Sequence, residues 1–280
     1  MSWARMTRIW TAAGGLCVGL LSHVSAQTAD EVALWRLWTR HQAEPTEHAV
    51  HATAFADFAD TRPDDPLAPL AGTLAAWHLL QAGRVDEATT WLERYARPSR
   101  HPTARGASQL ARAWLTRLDR ERVVQALDAY RTREVRFPER LTDLNGHAAV
   151  QRAGIEPPLE DRWGQSWIYQ LEAMRALTRL AGQRYRLESR RLRGDGMSDL
   201  NKALAVPYGD GIPLEVVRIM GAGQTASAQL ADPAAPDAPI ALSPGAQHES
   251  IALEYLSDNL VILHDTLHWK IMRTPRGRGP

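Results

Sequence analysis

The chain has almost no cysteine: Cys17 is the only one in 280 residues, so no disulfide can close within it. Stability must come from packed cores or from partners rather than from covalent staples. Charge of one sign is also missing, because 33 Lys and Arg face 32 Asp and Glu for a formal net charge of +1. That balance gives no electrostatic case for nucleic acid. Long apolar runs are absent as well. The one apolar stretch, Ile9 to Leu21, is too short for a comfortable membrane span. What is present is ordinary for a globular protein, with 44% apolar and 23% charged residues excluding a disordered chain.

The short apolar stretch reads instead as part of a signal peptide over residues 1–26. Arg5 and Arg8 supply the positive end, and Val24-Ser25-Ala26 places small residues where a signal peptidase cuts. Leu16 directly before Cys17 is a poor lipoprotein signal. Export to the periplasm or cell envelope, with a mature start near Gln27, is the expectation.

Residues 27–105 carry helical periodicity. Glu31 to Arg40 and Leu67 to Leu80 have long apolar faces, and Gly83-Arg84-Val85-Asp86-Glu87-Ala88 reads as a tight turn into a helix ending near Arg97. Ala54 and Phe58 recur as Ala88 and Leu92, 34 positions later, with Pro66 closing the first unit. This resembles tetratricopeptide repeats, with Arg100 in place of the second closing proline and Gly72 in place of a tryptophan. The alternative is a set of unrelated antiparallel helices. The resemblance implies a concave face for a peptide or a partner helix. Trp35, Trp38, Trp77 and Trp91 are read as core. His41, His48 and His51 are read as solvated residues of a polar connection, and Thr46 with His48 makes no nucleophile arrangement.

Residues 106–210 hold the most specific pattern. Leu110, Trp114 and Leu118 are helical, with Asp119 able to cap a fresh start, and Val123, Leu127 and Tyr130 line one face. Pro138 ends that run before a short helix with Leu141 and Leu144. Asp161-Arg162-Trp163-Gly164 is turn chemistry, with Trp163 expected to fold back as a core plug. Trp167 and Tyr169, then Tyr185 to Ser189, alternate as two strands of a meander. Gly194-Asp195-Gly196 closes the segment.

The order Ala126-Leu127 to Tyr130, Phe137-Pro138, Asp161 to Gly164 and Gly194-Asp195-Gly196 resembles the globular head of the major pseudopilin of type II secretion systems, over residues about 123–201. Two features of that family are missing, the apolar stem and its processing site, so the chain is expected not to polymerise. The resemblance also implies calcium in the last loop, with Asp195 as the first ligand and Asp199 the next. Arg190, Arg191 and Arg193 oppose a cation there, which keeps a plain Asp-Gly turn as the alternative.

In residues 211–273, Leu214 to Ile219, Glu249 to Tyr255, Leu260 to His264 and His268 to Met272 have strand patterns, and Ala231 to Pro239 reads as a low-complexity linker. Leu242-Ser243-Pro244-Gly245, Ile251 to Leu256 and Asn259 to Leu263 are similar to the small periplasmic β-domains of secretion and pilus assembly proteins. Residues 274–280 form a basic tail. His264 and His268 have the spacing of a helical zinc pair, but on strands, four residues apart, they are poorly placed to share an ion.

The expectation is an exported α+β protein, non-catalytic and peripheral to the membrane. It would work as an adaptor for envelope or secretion-apparatus proteins. Its partner would bind the repeat helices, or a strand edge between Glu249 and Leu263. The alternative is an envelope hydrolase or metal-dependent enzyme using His264 and His268.

Overall fold

The computed structural model describes residues 29–98, 102–173, 183–192, 197–209, 211–221 and 225–274. The signal segment 1–26, Asp195 with its flanking glycines, and most of the basic tail lie outside the described residues.

The N-terminal helices form because their apolar positions recur at helical spacing and turn residues separate them. Helix α1 covers 29–43, followed by α2 (His48–Thr61), α3 (Ala68–Gln81) and α4 (Val85–Tyr95). Gly83, at φ 73°, takes the left-handed turn between α3 and α4. Helix α3 packs on α2, α4 and the following α5, and is therefore buried almost all round. Gly72 has a steric reason to be glycine, since a Cβ there would lie 2.1 Å from Cε2 of Tyr95. Phe58, Ala88 and Leu92 are buried. An ion pair from Arg94 to Asp60, at 2.6 Å, ties α4 to α2.

Helix α5 (Pro102–Glu134) is one unbroken helix of 33 residues. Asp119 does not restart it. That buried carboxylate instead accepts from the Arg162 guanidinium, with one contact at 3.1 Å. The first half of α5 places Leu110, Trp114 and Leu115 in the core of the helical layer. The second half places Val123, Leu127 and Tyr130 in a separate core with Phe137, Leu144, Val150, Trp167 and Leu187.

That second core is completed by a short 3-10 helix (Leu141–Leu144), α6 (Ala148–Arg152) and the antiparallel pair β1 (Ile168–Ala173) and β2 (Gln183–Glu188). The Asp161 turn forms as its chemistry dictates: the carboxylate accepts from the backbone N–H groups of Trp163 and Gln165, each at 3.0 Å. Trp163, however, is not a core plug. It is half-buried and turned toward α5, where its Nε1 donates to Gln109. Trp167 fills the core instead, because it is next to β1 and its indole can donate to the Pro158 carbonyl.

After α7 (Leu200–Leu204) the chain forms two antiparallel sheets. One contains β3 (Glu215–Met220), β4 (Ser227–Asp232) and β5 (Ala235–Leu242); the other contains β6 (Gln247–His248), β7 (Ile251–Leu256), β8 (Leu260–His264) and β9 (Trp269–Arg273). The Ala-Pro-Asp stretch is thus not a linker but the β4–β5 hairpin, its turn held by Ala234 N donating to Asp232 Oδ1 at 2.8 Å. Alternation along β8 sends Leu260 and Ile262 to the helical core and Val261 and Leu263 to the core against β3–β5. The β6–β9 sheet is therefore buried on both faces. Within the stretch expected to offer a strand edge, β8 is paired on both sides, by β7 and β9, whereas β7 pairs on its other side only with the two-residue β6, through Ile251 and Ala252. The architecture is α+β, with helices first and antiparallel sheets last. Among the described residues no helix is long and apolar enough to cross a membrane.

Candidate functional site

The β8–β9 hairpin turn is drawn tight by Asp265, whose Oδ1 accepts from the backbone N–H groups of Leu267 and His268 at 2.7 Å each. The turn sends the two flanking histidines to different surroundings. His264 lies against Trp269, with ring centroids 5.1 Å apart, whereas His268 lies against Tyr208 at 4.4 Å. The structure does not bring them together as a ligand pair.

His264 instead serves a buried carboxylate. Glu254, on β7, is 3% exposed, and its Oε1 lies 3.0 Å from His264 Nε2. The other ring nitrogen, Nδ1, lies 2.8 Å from the Asp265 carbonyl oxygen, which can only accept, so Nδ1 carries a hydrogen. Nε2 is thereby left to face the Glu254 carboxyl. Gly106 makes room for this pair under α5, because a Cβ there would lie 2.8 Å from Glu254 Cγ.

Above Glu254 opens a cleft of about 440 Å³, formed where α5, the Asp161 turn, the segment after β2 and the β6–β9 sheet meet. Arg105 stands at its edge with Nη2 3.5 Å from Glu254 Oε2, an oxygen that receives no hydrogen bond. Gln109 and Trp163, joined by their hydrogen bond, line the same cleft, as does Arg191. The cleft thus offers an indole face, two guanidinium groups and a deep carboxylate oxygen. Such a set recognises a ligand carrying both hydrogen-bond donors and negative charge. Arg105, Gln109 and Trp163 carry no local motif that marks them as a site, since only the fold collects them.

Asp199 has a structural post. It caps α7, with Oδ1 accepting from Lys202 N at 3.0 Å, while Oδ2 meets Arg120 Nη1 at 3.2 Å. Asp195 falls outside the described residues. Among the described residues no group of three or more His, Cys, Asp or Glu side chains is arranged to hold a metal ion.

The reading of His41 and His51 as solvated is corrected, since they are 2% and 1% exposed. They join His48 and His78 where α1, α2 and α3 meet, beside Trp38, Trp77 and Tyr208. Burial first, and the neighbouring imidazoles second, push His41 down to about 4 and His78 to about 2. His78 comes from a different helix, so spacing along the chain gives no hint of the cluster. No family model, no curated protein and no solved structure matches the chain.

Proposed function

We propose that this chain is an exported, non-catalytic adaptor of a type II secretion or pilus-like envelope assembly, and that it grips its partner through the cleft above Glu254. The observation that carries this reading is the position of the cleft. It lies at the seam of the helical layer, the pseudopilin-like segment and the β-sheets, so all three contribute to one recognition surface. Both ring nitrogens of His264 are engaged, which makes it a support for Glu254 rather than a free base. The N-terminal half of α5 supports the adaptor reading further. Where a pseudopilin-like head would continue into an apolar stem for packing with other copies, this helix is buried against the chain's own core. The partner is accordingly another envelope or secretion-apparatus protein rather than a second copy.

The test is co-purification from the native envelope, comparing the wild type with Trp163→Ala/Arg191→Glu. An enriched secretion-apparatus component that is lost in the variant supports the reading. The same component retained at equal yield removes the cleft from it, and filaments of the mature protein seen by electron microscopy overturn the adaptor role.

A further inference from the structure

Away from the cleft, four histidines gather at the corner of α1, α2 and α3. His78 is its hub, with ring centroids 4.9 Å from His41, 4.9 Å from His51 and 5.4 Å from His48. The Nδ1 atoms of His48 and His78 face each other at 3.2 Å. That distance suits an N–H···N hydrogen bond. It is also close to the roughly 3.3 Å that separates two imidazole nitrogens on one tetrahedral ion with bonds of about 2.0–2.1 Å. As a hydrogen bond it leaves a neighbouring donor atom unused: His41 Nδ1 is buried without a hydrogen-bond partner.

We propose that His48 and His78, completed by His41 or His51, bind one divalent transition-metal ion of the zinc, nickel or copper class. Imidazole donors select these borderline ions over calcium or magnesium. As the rings stand, no three described His, Cys, Asp or Glu side chains converge on one point, so binding turns a ring. For His51 that means releasing the Glu44 carbonyl oxygen, now 2.8 Å from its Nε2. His48 is only half-buried and is the route of entry. The bound ion would clamp the α1–α2 corner onto α3.

The test uses the untagged mature protein after chelator treatment, titrated with Zn²⁺ by calorimetry and with Cu²⁺ by electron paramagnetic resonance. One ion per chain, a copper signal split by at least two nitrogens, and a higher melting temperature in zinc than in chelator are expected. His48→Ala should bind about tenfold more weakly or worse. His248→Ala, which removes an exposed imidazole, should change nothing. If the melting curve shows that His48→Ala has lost its fold, His48→Gln takes its place. No zinc or copper binding, a copper signal with fewer than two nitrogens, or binding undiminished in the folded His48 variant overturns the proposal.

Discussion

Two histidines that the fold keeps uncharged set an acid limit on stability. His41 and His78 have their folded pKa values depressed, the first cause being burial. In the unfolded chain each titrates near 6.5. Below that value the unfolded state gains protons that the folded state refuses, so stability falls as pH falls. Each histidine contributes up to about 1.4 kcal/mol per pH unit, and nothing above about pH 7.5, where both states are neutral. The urea midpoint should therefore be flat from about pH 9 to 7.5 and fall between about 6.5 and 5. Replacing His78 by Asn should make that fall shallower. Asp199 invites a different measurement, because Lys202 N and the Arg120 guanidinium already occupy its oxygens. Calcium held by Asp195 and Asp199 would raise the melting temperature over that in chelator, and Asp195→Ala would abolish the gain. Asp199→Ala should lower stability by about 1 kcal/mol with or without calcium, through loss of the helix cap.

Helix α5 links two cores, and its middle is where that link can be cut. Arg122→Pro would remove an interior helical hydrogen bond and clash with the preceding turn, costing about 3 kcal/mol or more. Arg122→Ala controls for the side-chain bond to the Glu156 carbonyl. Unfolding of the wild type should be one transition by tryptophan fluorescence and by circular dichroism. In Arg122→Pro the two probes should separate as the cores melt apart. Which elements the sequence announces follows from how local their causes are. Gly83, Pro138 and Asp161 mark their turns because a single residue's geometry decides each one. The short, bounded apolar run of Leu260 to Leu263, rich in β-branched residues, marks a buried strand for the same reason. Trp163 and Trp167 look alike in the sequence, and only the direction of β1 decides which enters the core. The Pro236 and Pro239 that suggest a linker are accommodated in β5, an edge strand with no neighbour on its far side among the described residues. The cleft is the least legible part, since Arg105, Trp163, Arg191 and Glu254 meet only through tertiary contacts.

At the scale of the whole molecule, the buried first half of α5 predicts no self-assembly: sedimentation or light scattering of the mature protein should show no species growing with concentration into fibres. The same buried helix is pinned by Arg117, fully enclosed, whose Nε and Nη1 donate to the carbonyl oxygens of Met197 and Thr266 at 2.9 and 3.2 Å. Arg117→Ala would orphan both carbonyls and leave a cavity. It should cost about 3–5 kcal/mol, read from the urea midpoint. The contacts of Glu31 have a consequence in time. Its carboxylate accepts from Tyr255 and Asn259, 224 and 228 residues further along the chain, and Trp269 donates to Thr73 across 196 residues. The N-terminal helices are thus finished by strands made some two hundred residues later. Until residue 273 has emerged, the apolar face that the β6–β9 sheet will cover has nothing native to rest on. If the chain is exported as proposed, this order favours its passage, because the helices cannot complete their packing before the β6–β9 strands have been made.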